Sequence, residues 1–561
     1  MIRPIRLGLV AAGLWLVACG AGAQTARSYS AVTDARLESP EARNWLMYLR
    51  QYDSWSYSPL ERINTRNVAD LVPVWTMSTG TAEGHQAPPI VNDGVMFITT
   101  PFNQVIAIDA KTGDLLWRYR HPMPPDIRMG HPTNRGVALY GDKVYTATSD
   151  ARVVALDART GRVVWTKAVE NYNNGYYMTL APLAARGRIM VGVSGGERGI
   201  RGFVVALDAE SGEQVWKTFT VPAPGEPGND TWPGDSWRTG GAPVWLTGSF
   251  DPKLGLTYWG TGNPGPWTGD ARPGDNLYTN SVIALDVETG ALKAYHQYHW
   301  NDSWDWDEVA APLLIDLPRN GRTVPGLVHV GRNGYLWMLE RGADGISFIA
   351  AKPYVQQNVF TGLDPVTGRP EYDMARKPGI DKPATFCPSI WGGKDWPPAA
   401  YNPGTGYLYV CAVDNASSFL ANEIDSERPP AGEIYTGGEF GTNPLPQFGT
   451  FTALDMRTNT IVWQQHWANR CYSGATTTAG GLVFVGRNDG RLTALDSASG
   501  ELLWEFQTGA GMNAPVSVFT HGGQQYVVAY SAGSLFAGTP RGDSVWLFAL
   551  DGTLGPVEPG R

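Results

Sequence analysis

The sequence contains few cysteines, no cluster of basic residues and no long apolar segment beyond its N-terminus. None of its four cysteines lies in a Cys-x-x-Cys-His motif, which excludes a covalently attached c-type haem. The formal net charge is -9, from 44 basic and 53 acidic residues, and no run of Lys or Arg occurs. This charge pattern argues against a nucleic-acid partner.

The first 23 residues predict export from the cytoplasm. A basic start precedes the apolar run Leu7–Ala18, and the small residues Ala21–Ala23 precede Gln24, a pattern typical of a secretory signal peptide. The apolar run is too short to span a bilayer. Leu16–Cys19 also resembles a bacterial lipobox, in which Cys19 would be lipidated and would anchor the protein to the outer membrane. Either route predicts a periplasmic location, and we favour simple cleavage.

Disulfide bonds are permissible in an exported protein. Cys19 belongs to the signal region, which leaves Cys387, Cys411 and Cys471. Cys387 and Cys411 flank one candidate strand pair. We therefore predict that these two residues form a disulfide and that Cys471 is a free thiol.

One repeat recurs along most of the chain. An apolar strand ends in Ala-Leu-Asp or a close variant, a turn with Thr-Gly or Ser-Gly follows, and Trp stands four residues after the Gly. Ala294 replaces the Trp in one copy. Complete neighbouring copies are spaced by about 41 to 51 residues, which suits four short antiparallel strands per unit. The copies contain Asp109, Asp157, Asp208, Asp286, Asp455 and Asp496.

These repeats predict an all-β protein, an eight-bladed β-propeller that forms a single domain over residues 24–561. One such sheet cannot bury both of its faces, so the units must pack around an axis. The repeats, weaker copies and an N-terminal portion around Trp55–Trp75 together indicate eight blades, with the ring closed between the chain termini. The interval from Trp216 to Ala294 is too long for one blade step and contains an inserted loop, and a second insertion runs from about Ser417 to Phe448. Long loops on such a scaffold commonly carry function.

The most unusual stretch is Asn301–Glu308, which contains four carboxylates and two indoles in eight residues. As a strand, it would direct Asp305 and Asp307 to one face and its two tryptophans to the other. Two carboxylates on one face repel each other unless a cation lies between them. A solvated acidic turn with two packing tryptophans is the alternative.

Other oxygen donors follow apolar strands elsewhere in the chain. Glu197 and Asn263 stand at two such strand ends and could join Asp305 and Asp307 in an all-oxygen cage for a hard cation. Each residue also has a simpler explanation. Glu197 could pair with a neighbouring arginine, and Asn263 could cap a turn.

The chain resembles the alcohol dehydrogenases that depend on pyrroloquinoline quinone (PQQ), relatives of methanol dehydrogenase, over nearly its whole mature length. The family fold is an eight-bladed propeller with a tryptophan docking repeat, which agrees with the blade number inferred above. The segments that carry the resemblance are Gly175–Pro182, Val193–Glu197, Thr231–Trp237, Tyr258–Pro264, Trp304–Asp307 and Gly392–Trp396.

The resemblance implies a role for each matching position. Trp245 would lie beneath the flat cofactor, and Asp305 would be the general base that removes the alcohol proton as hydride leaves the same carbon. Arg332 would stabilise developing negative charge. The metal ligands would be Glu197, Asn263, Asp305 and Asp307. The cofactor-binding residues would be Gln86, Arg135, Thr179, Ser194, Gly195, Gly196, Trp245, Arg332 and Asp395.

The chain also departs from the family pattern. Asp307 matches the additional carboxylate of members that use a lanthanide, which favours a lanthanide over Ca²⁺. Met129 and Gly130 occupy the positions of a vicinal cysteine pair that covers the cofactor in many relatives. Gln86 stands where Glu is frequent, and Asp395 where Asn is frequent. Cys387 and Cys411 match a family disulfide, in agreement with the prediction above.

The sequence thus predicts a periplasmic PQQ-dependent dehydrogenase that oxidises an alcohol to an aldehyde or ketone. Electrons would pass to a separate cytochrome c or similar carrier, because the chain ends at Arg561, soon after the last blade. The membrane would be a partner only if Cys19 is lipidated. Two alternatives remain: a non-catalytic propeller scaffold of the outer-membrane assembly type, and an enzyme whose PQQ site has decayed.

Overall fold

The computed structural model describes residues 29–414, 418–422, 430–442 and 447–552. The predicted signal peptide, residues 1–23, and Cys19 lie outside these residues. Helices are short in the described part of the chain, and none there is long and apolar enough to cross a membrane. The helix α1 spans Asp34–Glu38, and the 3₁₀ helices are Val68–Asp70, Tyr172–Asn174, Gly196–Arg198, Asn229–Thr231, Ser236–Thr239 and Gly269–Ala271.

Strands make up the remaining regular structure of the described residues. Those before residue 300 are β1 Tyr57–Ser58, β2 Val72–Ser78, β3 Ile90–Asn92, β4 Val95–Thr100, β5 Gln104–Asp109, β6 Leu115–Arg120, β7 Val137–Tyr140, β8 Lys143–Ala147, β9 Arg152–Asp157, β10 Val163–Ala168, β11 Leu183–Ala185, β12 Arg188–Gly192, β13 Phe203–Asp208, β14 Gln214–Phe219, β15 Ser249–Asp251, β16 Leu256–Gly260, β17 Ser281–Asp286 and β18 Leu292–Gln297. Those after residue 300 are β19 Leu313–Arg319, β20 Arg322–Val330, β21 Tyr335–Arg341, β22 Ile346–Pro353, β23 Phe360–Leu363, β24 Pro370–Tyr372, β25 Ala384–Phe386, β26 Ala400–Asn402, β27 Tyr407–Asp414, β28 Ser418–Asn422, β29 Gly438–Thr442, β30 Phe448–Asp455, β31 Thr460–Trp467, β32 Ala475–Thr478, β33 Leu482–Gly486, β34 Arg491–Asp496, β35 Leu502–Gln507, β36 Ser517–His521, β37 Gln524–Ser531 and β38 Ser544–Ala549.

Eight antiparallel sheets of four strands form the blades of a propeller, which confirms the predicted fold. Blades 1 to 5 are β3–β6, β7–β10, β11–β14, β15–β18 and β19–β22. Blade 6 combines β26, β27, β30 and β31, and blade 7 is β32–β35 with β1 paired in parallel to β32. Blade 8 joins the two ends of the chain, because β2 pairs antiparallel with β38. The strand pair β23–β24 and the sheet of β25, β28 and β29 are additional to the blades.

The repeat tryptophans connect neighbouring blades. In each case the indole N–H donates a hydrogen bond to a backbone carbonyl of the next blade or of the segment leading into it, at 3.0–3.2 Å. The ring therefore buries its apolar faces between two sheets while its one polar group remains satisfied. The donor and acceptor pairs are Trp75 and Lys111, Trp117 and Ala158, Trp165 and Ala209, Trp216 and Val287, Trp463 and Ser497, and Trp504 and Leu71.

The repeat glycines are required by the same tryptophans. Gly161 has φ +70°, and a Cβ on it would lie 2.5 Å from an atom of the Trp117 ring. At the junction where Ala294 replaces Trp, a Cβ on Gly345 of the next blade would meet no atom within 4 Å. Tryptophan and glycine are therefore matched pairs at five of the blade junctions, where an indole ring lies against Gly113, Gly161, Gly212, Gly290 or Gly500. This pairing explains why both residues recur with one period.

Replacement of Gly161 by Ala should destabilise the propeller measurably. The added methyl group strains a backbone with positive φ and displaces the Trp117 indole, at a combined cost of roughly 2–4 kcal/mol. We expect a lower midpoint of thermal unfolding, measured by circular dichroism. The matched control is Gly321→Ala, since Gly321 also has a positive φ, +73°, but an added Cβ there would meet no atom within 4 Å; its midpoint should fall less. Equal midpoints for the two variants would show that the indole does not impose the glycine.

The predicted disulfide is wrong. Cys411 is bonded to Cys471, with Cα atoms 5.1 Å apart, and Cys387 is a buried free thiol. Cys411 lies in β27 of blade 6 and Cys471 just before β32 of blade 7, so the bond joins two adjacent blades. Burial raises the pKa of the Cys387 thiol to about 12. Proximity in this fold follows from blade adjacency, whereas the prediction relied on proximity in sequence.

Candidate active site

The predicted site residues come together at one end of the propeller. The first two strands of each blade are antiparallel, so the start of the first strand and the end of the second lie at the same edge. Arg135, Trp245 and Asp305 precede a first strand, whereas Asn263 and Arg332 follow a second strand. Residues scattered over 300 positions of sequence therefore meet around the ring axis.

A cavity of about 360 Å³ opens at this end. Its size lies in the usual range for a small-molecule site. Every predicted site residue lines it except Asn263. Asn263 is fully buried directly behind the wall, where its backbone N–H donates to Asp307 Oδ1 at 2.7 Å. Twelve of the thirteen predicted residues thus line the cavity, and the thirteenth contacts one of them.

The acidic stretch is an irregular loop before β19 and is not a strand. Asp305 has φ +60°, which no regular strand permits. Trp304 and Trp306 are fully buried and stack on each other, with ring centroids 5.1 Å apart. Asp305 and Asp307 face the cavity. The predicted separation of carboxylates from indoles is therefore confirmed, although the predicted strand conformation is wrong.

Asp307 is held by two elements. Its Oδ1 accepts the N–H of Asn263 at 2.7 Å, and its Oδ2 accepts Arg332 Nη1 at 2.8 Å. The same guanidinium nitrogen donates to the backbone carbonyl of Asp305 at 2.9 Å. A side chain on Gly262 would collide with Asp307 Oδ1, at 2.1 Å. Asp307 is thus fixed in position by hydrogen bonds and by a glycine that leaves it room.

Ionisation of all the carboxylates of the site together is unfavourable. Burial and the charge of Asp307 raise the pKa of Asp305 well above its ordinary value. Burial, with the charge of Glu197, raises the pKa of Asp307 to about 7, although Arg332 opposes this shift. Burial also raises the pKa of Glu197. A cation among these groups would offset both effects.

The donor set suits a hard cation but is not assembled into a cage. Within the described ranges, no three His, Cys, Asp or Glu side chains converge closely enough to hold an ion. In addition, both Asp307 oxygens already accept hydrogen bonds. By contrast, Asn263 Oδ1 and Asp305 Oδ1 are buried and have no hydrogen-bond partner among the described residues. Oxygen acceptors without donors are what Ca²⁺ or a lanthanide requires. The ligand set itself stays a prediction.

A second part of the cavity provides an aromatic and cationic surface. The Arg135 guanidinium lies 4.8 Å from the centroid of the Trp245 ring and 5.6 Å from that of Trp396. Its Nη1 donates to Thr179 Oγ1 at 2.6 Å. The Thr179 hydroxyl is also 3.3 Å from Ser194 Oγ. A flat, negatively charged ligand could stack on the indole and pair with the arginine.

The backbone next to this surface is shaped by glycines and by unpaired polar atoms. Gly195 has φ +112°, and a Cβ on Gly196 would lie 2.6 Å from Asn263 Oδ1. Both positions therefore exclude a larger residue. Gln86 Oε1 and Arg135 Nε are buried without a hydrogen-bond partner in the described part of the chain. A bound ligand with both donors and acceptors would satisfy these atoms, so the residues fit a multiply carboxylated quinone such as PQQ.

Arg332 connects the two parts of the cavity. Its Nη2 is 3.1 Å from Asp395 Oδ1, and the Tyr472 hydroxyl donates to the other oxygen of Asp395. A Cβ on Gly392 would lie 2.1 Å from Arg332 Cγ, so Gly392 leaves room for the arginine side chain. The guanidinium therefore lies between two carboxylates, those of Asp307 and Asp395.

Comparisons with known proteins agree with this geometry. A family model described as "Glucose/ethanol/alcohol dehydrogenase, beta-propeller domain" matches residues 45–359. The quinoprotein alcohol dehydrogenase PedH of Pseudomonas putida is 38% identical over 504 residues, which cover 85% of this chain and 84% of the relative. The chain belongs to the PQQ-dependent alcohol dehydrogenases.

Solved structures support the same assignment. The quinohemoprotein alcohol dehydrogenase ADHIIG from Pseudomonas putida HK5 superposes with a TM-score of 0.89 at 32% identity, over 95% of this chain and 84% of that one. A europium-containing methanol dehydrogenase superposes with a TM-score of 0.87 at 31% identity, over 92% of this chain and 99% of that one. The protein is therefore an oxidoreductase that depends on PQQ, with an alcohol as its class of substrate.

The scaffold alternative has weak support. A family model for the outer membrane protein assembly factor BamB matches only residues 432–554. This part contains propeller repeats of blades 6 to 8 but none of the predicted site residues, which lie between Gln86 and Asp395. The match is thus explained by the shared repeat.

This dehydrogenase covers its cavity differently from relatives with a vicinal cysteine pair. At the corresponding positions, Gly130 lies against Tyr177, and a Cβ on it would be 3.0 Å from the phenol ring. The next residue, His131, packs on Phe536 with ring centroids 4.7 Å apart. Burial and the charge of Arg135 lower the pKa of His131 to about 4, so the imidazole is neutral near pH 7. Aromatic rings form this wall.

Several lining residues were not found from the sequence. The most informative is Tyr472, whose hydroxyl contacts Asp395. It stands three residues before the first strand of blade 7, just as Asp395 stands before the first strand of blade 6. Position within the repeat was the signal that could have identified it. Trp396, which the Arg135 guanidinium approaches, directly follows a predicted residue.

Proposed function

We propose that this enzyme acts in the periplasm, oxidising an alcohol with bound PQQ and a lanthanide ion and passing electrons to a separate cytochrome c-type carrier. The observation that supports the metal is the pair of buried, unpartnered oxygens of Asn263 and Asp305 among carboxylates with raised pKa values. When bound, PQQ would supply a two-electron acceptor and the cation would polarise it as a Lewis acid.

Asp305 is the proposed general base. Its Oδ1 has no donor among the described residues, and its side chain faces the cavity, so it is free to accept a proton from an alcohol hydroxyl. Hydrogen bonds to its backbone N–H and carbonyl hold the loop in position. A base used for proton abstraction needs a fixed location within hydrogen-bond reach of the substrate, and this arrangement supplies one.

Arg332 is proposed to stabilise negative charge next to that base. Its guanidinium reaches Asp307 and Asp395 and lines the same cavity. These two carboxylates and the backbone carbonyl of Asp305 hold the guanidinium in place. The guanidinium would therefore not need to reorganise as charge develops on a substrate or cofactor oxygen. Trp245 and Arg135 would hold the cofactor on the other side.

The proposal that the metal is a lanthanide rests on Asp307. A trivalent ion requires more negative charge from its ligands than Ca²⁺ does, and Asp307 places a further carboxylate next to Asp305. Its contact with Arg332 reduces the net charge that it offers, so binding of an ion must compete with that ion pair. The similarity to a europium-containing methanol dehydrogenase supports this choice of metal.

Reconstitution tests the proposed function directly. The purified enzyme, freed of metal, should show no dye reduction with an alcohol until both PQQ and a metal ion are added. Parallel titrations with La³⁺ and Ca²⁺ should give the higher activity with La³⁺. Acetate, which carries no oxidisable hydroxyl group, provides a control compound of a different class. An enzyme that binds no PQQ with either metal would exclude this function and favour a decayed site.

The location and the electron acceptor rest on separate experiments. Mass spectrometry of the exported chain should show a mature N-terminus at Gln24, whereas lipidated Cys19 would indicate a membrane anchor. A reduced minus oxidised spectrum of a periplasmic cytochrome c, recorded with alcohol and the enzyme, tests the acceptor. A cytochrome that stays oxidised would require another carrier.

A further inference from the structure

Four titratable side chains lie buried behind the acidic loop, and the proposed chemistry uses none of them. Three of them come from the acidic loop and the residues just before it, and the fourth comes from the end of β20. Each is at most 1% exposed. They are His299, Asp302, Glu308 and His329.

Glu308 holds the turn that carries Arg332. One carboxylate oxygen accepts the backbone N–H of Arg332 at 2.9 Å and the other accepts that of Asn333 at 3.2 Å. His329 Nε2 lies 2.6 Å from the first of these oxygens. The carboxylate thus fixes the backbone from which the guanidinium extends into the cavity.

Asp302 holds the proposed base in a similar way. Its Oδ2 accepts the backbone N–H of Asp305 at 3.1 Å, and its Oδ1 accepts that of Trp304 at 3.3 Å. Asp305 has φ +60°, a left-handed conformation that is costly for a residue with a side chain. The two hydrogen bonds from Asp302 help to stabilise that conformation.

His299 lies between these two carboxylates. Its Nε2 is 3.1 Å from Asp302 Oδ1, and its Nδ1 is 3.5 Å from Glu308 Oε1 and 3.4 Å from Asn333 Nδ2. On the cavity side, Arg332 contacts the same loop, because its Nη1 donates a hydrogen bond to the backbone carbonyl of Asp305. A single imidazole therefore connects the backbone support of the base with that of the arginine.

We propose that His299 is a positioning residue that keeps Asp305 and Arg332 in their relative places by contacting Asp302 and Glu308 together. This inference rests on the proposed function, since it concerns the geometry of the same site. Loss of the imidazole leaves two buried carboxylates near each other without the group between them. We expect them to separate, which moves the base and the guanidinium apart.

The test is His299→Leu in the PQQ- and metal-loaded enzyme. We expect kcat to fall by about 10- to 100-fold, the range for residues that support a functional group from behind. The KM for the alcohol should change by less than about threefold, because the cavity wall is intact. Bound PQQ per chain, measured by absorbance, should be unchanged. A deuterated alcohol should show a larger isotope effect on kcat, because the chemical step has become slower.

Two further variants separate positioning from general destabilisation. His299→Gln can still donate to Asp302 and should recover part of the lost kcat. His296→Leu is the matched control, since His296 is also buried and lies three residues earlier, with its Nε2 unpartnered in the described structure. It packs on the Tyr298 and Trp337 rings and should keep kcat near that of the parent enzyme.

A crystal structure of metal-free His299→Leu supplies a readout that needs no activity. We expect Asp305 to leave its positive φ, or Arg332 Nη1 to move beyond hydrogen-bond distance of the Asp305 carbonyl. Unchanged positions of both groups would overturn the inference, as would an unchanged kcat or an equal loss in His296→Leu. If the parent enzyme does not oxidise any alcohol, the proposed function fails, and the crystal structure still decides the role of His299.

Discussion

Asp305→Asn should reduce the rate of alcohol oxidation by about 10²- to 10⁴-fold with every metal ion, the range expected when a general base is removed. Asparagine tolerates the left-handed backbone of this position and can keep the hydrogen bonds of its N–H and carbonyl, so the variant removes the proton acceptor and one negative charge of the predicted metal site while the backbone is retained. Turnover measured by dye reduction at saturating PQQ, with La³⁺ and separately with Ca²⁺, checks this expectation.

A measurement of bound PQQ separates a loss of catalysis from a loss of cofactor binding. Bound PQQ should be similar in Asp305→Asn and in the parent enzyme, because Trp245 and Arg135 lie on the cofactor side of the cavity. Asp344→Asn, at an exposed turn, is the control for the amide substitution itself. Asp305→Ala removes the side chain altogether and should be equally inactive. Activity close to the parent level in either Asp305 variant would mean that another group accepts the proton.

Asp307→Ala should abolish activity supported by lanthanides and spare activity supported by Ca²⁺. The reason is the loss of one negative charge from the site, to which a trivalent ion is more sensitive than a divalent ion. We expect the affinity for La³⁺, measured by titration of activity, to fall by roughly 100-fold, a difference of about 2.8 kcal/mol. The activity with Ca²⁺ should stay within a few fold of the parent value.

A second substitution distinguishes charge from position at Asp307. Asp307→Asn can still accept hydrogen bonds through its oxygen, from either the Asn263 N–H or Arg332, but lacks the charge. The two variants should show the same metal selectivity if charge decides it. Equal loss with both metals in Asp307→Ala, together with recovery in Asp307→Asn, would show instead that Asp307 acts structurally, by holding Arg332.

Most of the site was predictable because its residues occupy equivalent places in a repeat. Glu197, Asn263 and Arg332 each follow the second strand of a blade. In a propeller, equivalence in the repeat becomes closeness around the axis, so a one-dimensional pattern is sufficient to bring residues to one end. The resemblance to known dehydrogenases added the roles, and the shared lining of one cavity agrees with it.

Two predictions failed, one about the disulfide and one about the acidic stretch. Cys387 and Cys411 were paired because they flank one strand pair and match a family disulfide, yet the bond forms between Cys411 and Cys471 on neighbouring blades. The alternation around Asp305 indicated a strand, yet the backbone turns through a positive φ. Both outcomes depend on contacts between residues far apart in sequence, those of Cys411 with Cys471 and of Arg332 with the backbone carbonyl of Asp305.

The sequence by itself determined the propeller and the number of its blades, since the period and the recurring pairing of tryptophan with glycine leave few other ways to bury the sheets. The resemblance to known dehydrogenases added twelve of the residues that line the cavity. Only the tertiary structure decided how the acidic stretch is used. It divides the carboxylates into Asp305 and Asp307, which face the cavity, and Asp302 and Glu308, which support the backbone from behind. That division depends on His329 and Arg332, which folding brings to the acidic stretch from the end of β20 and the turn after it, and no local pattern records it.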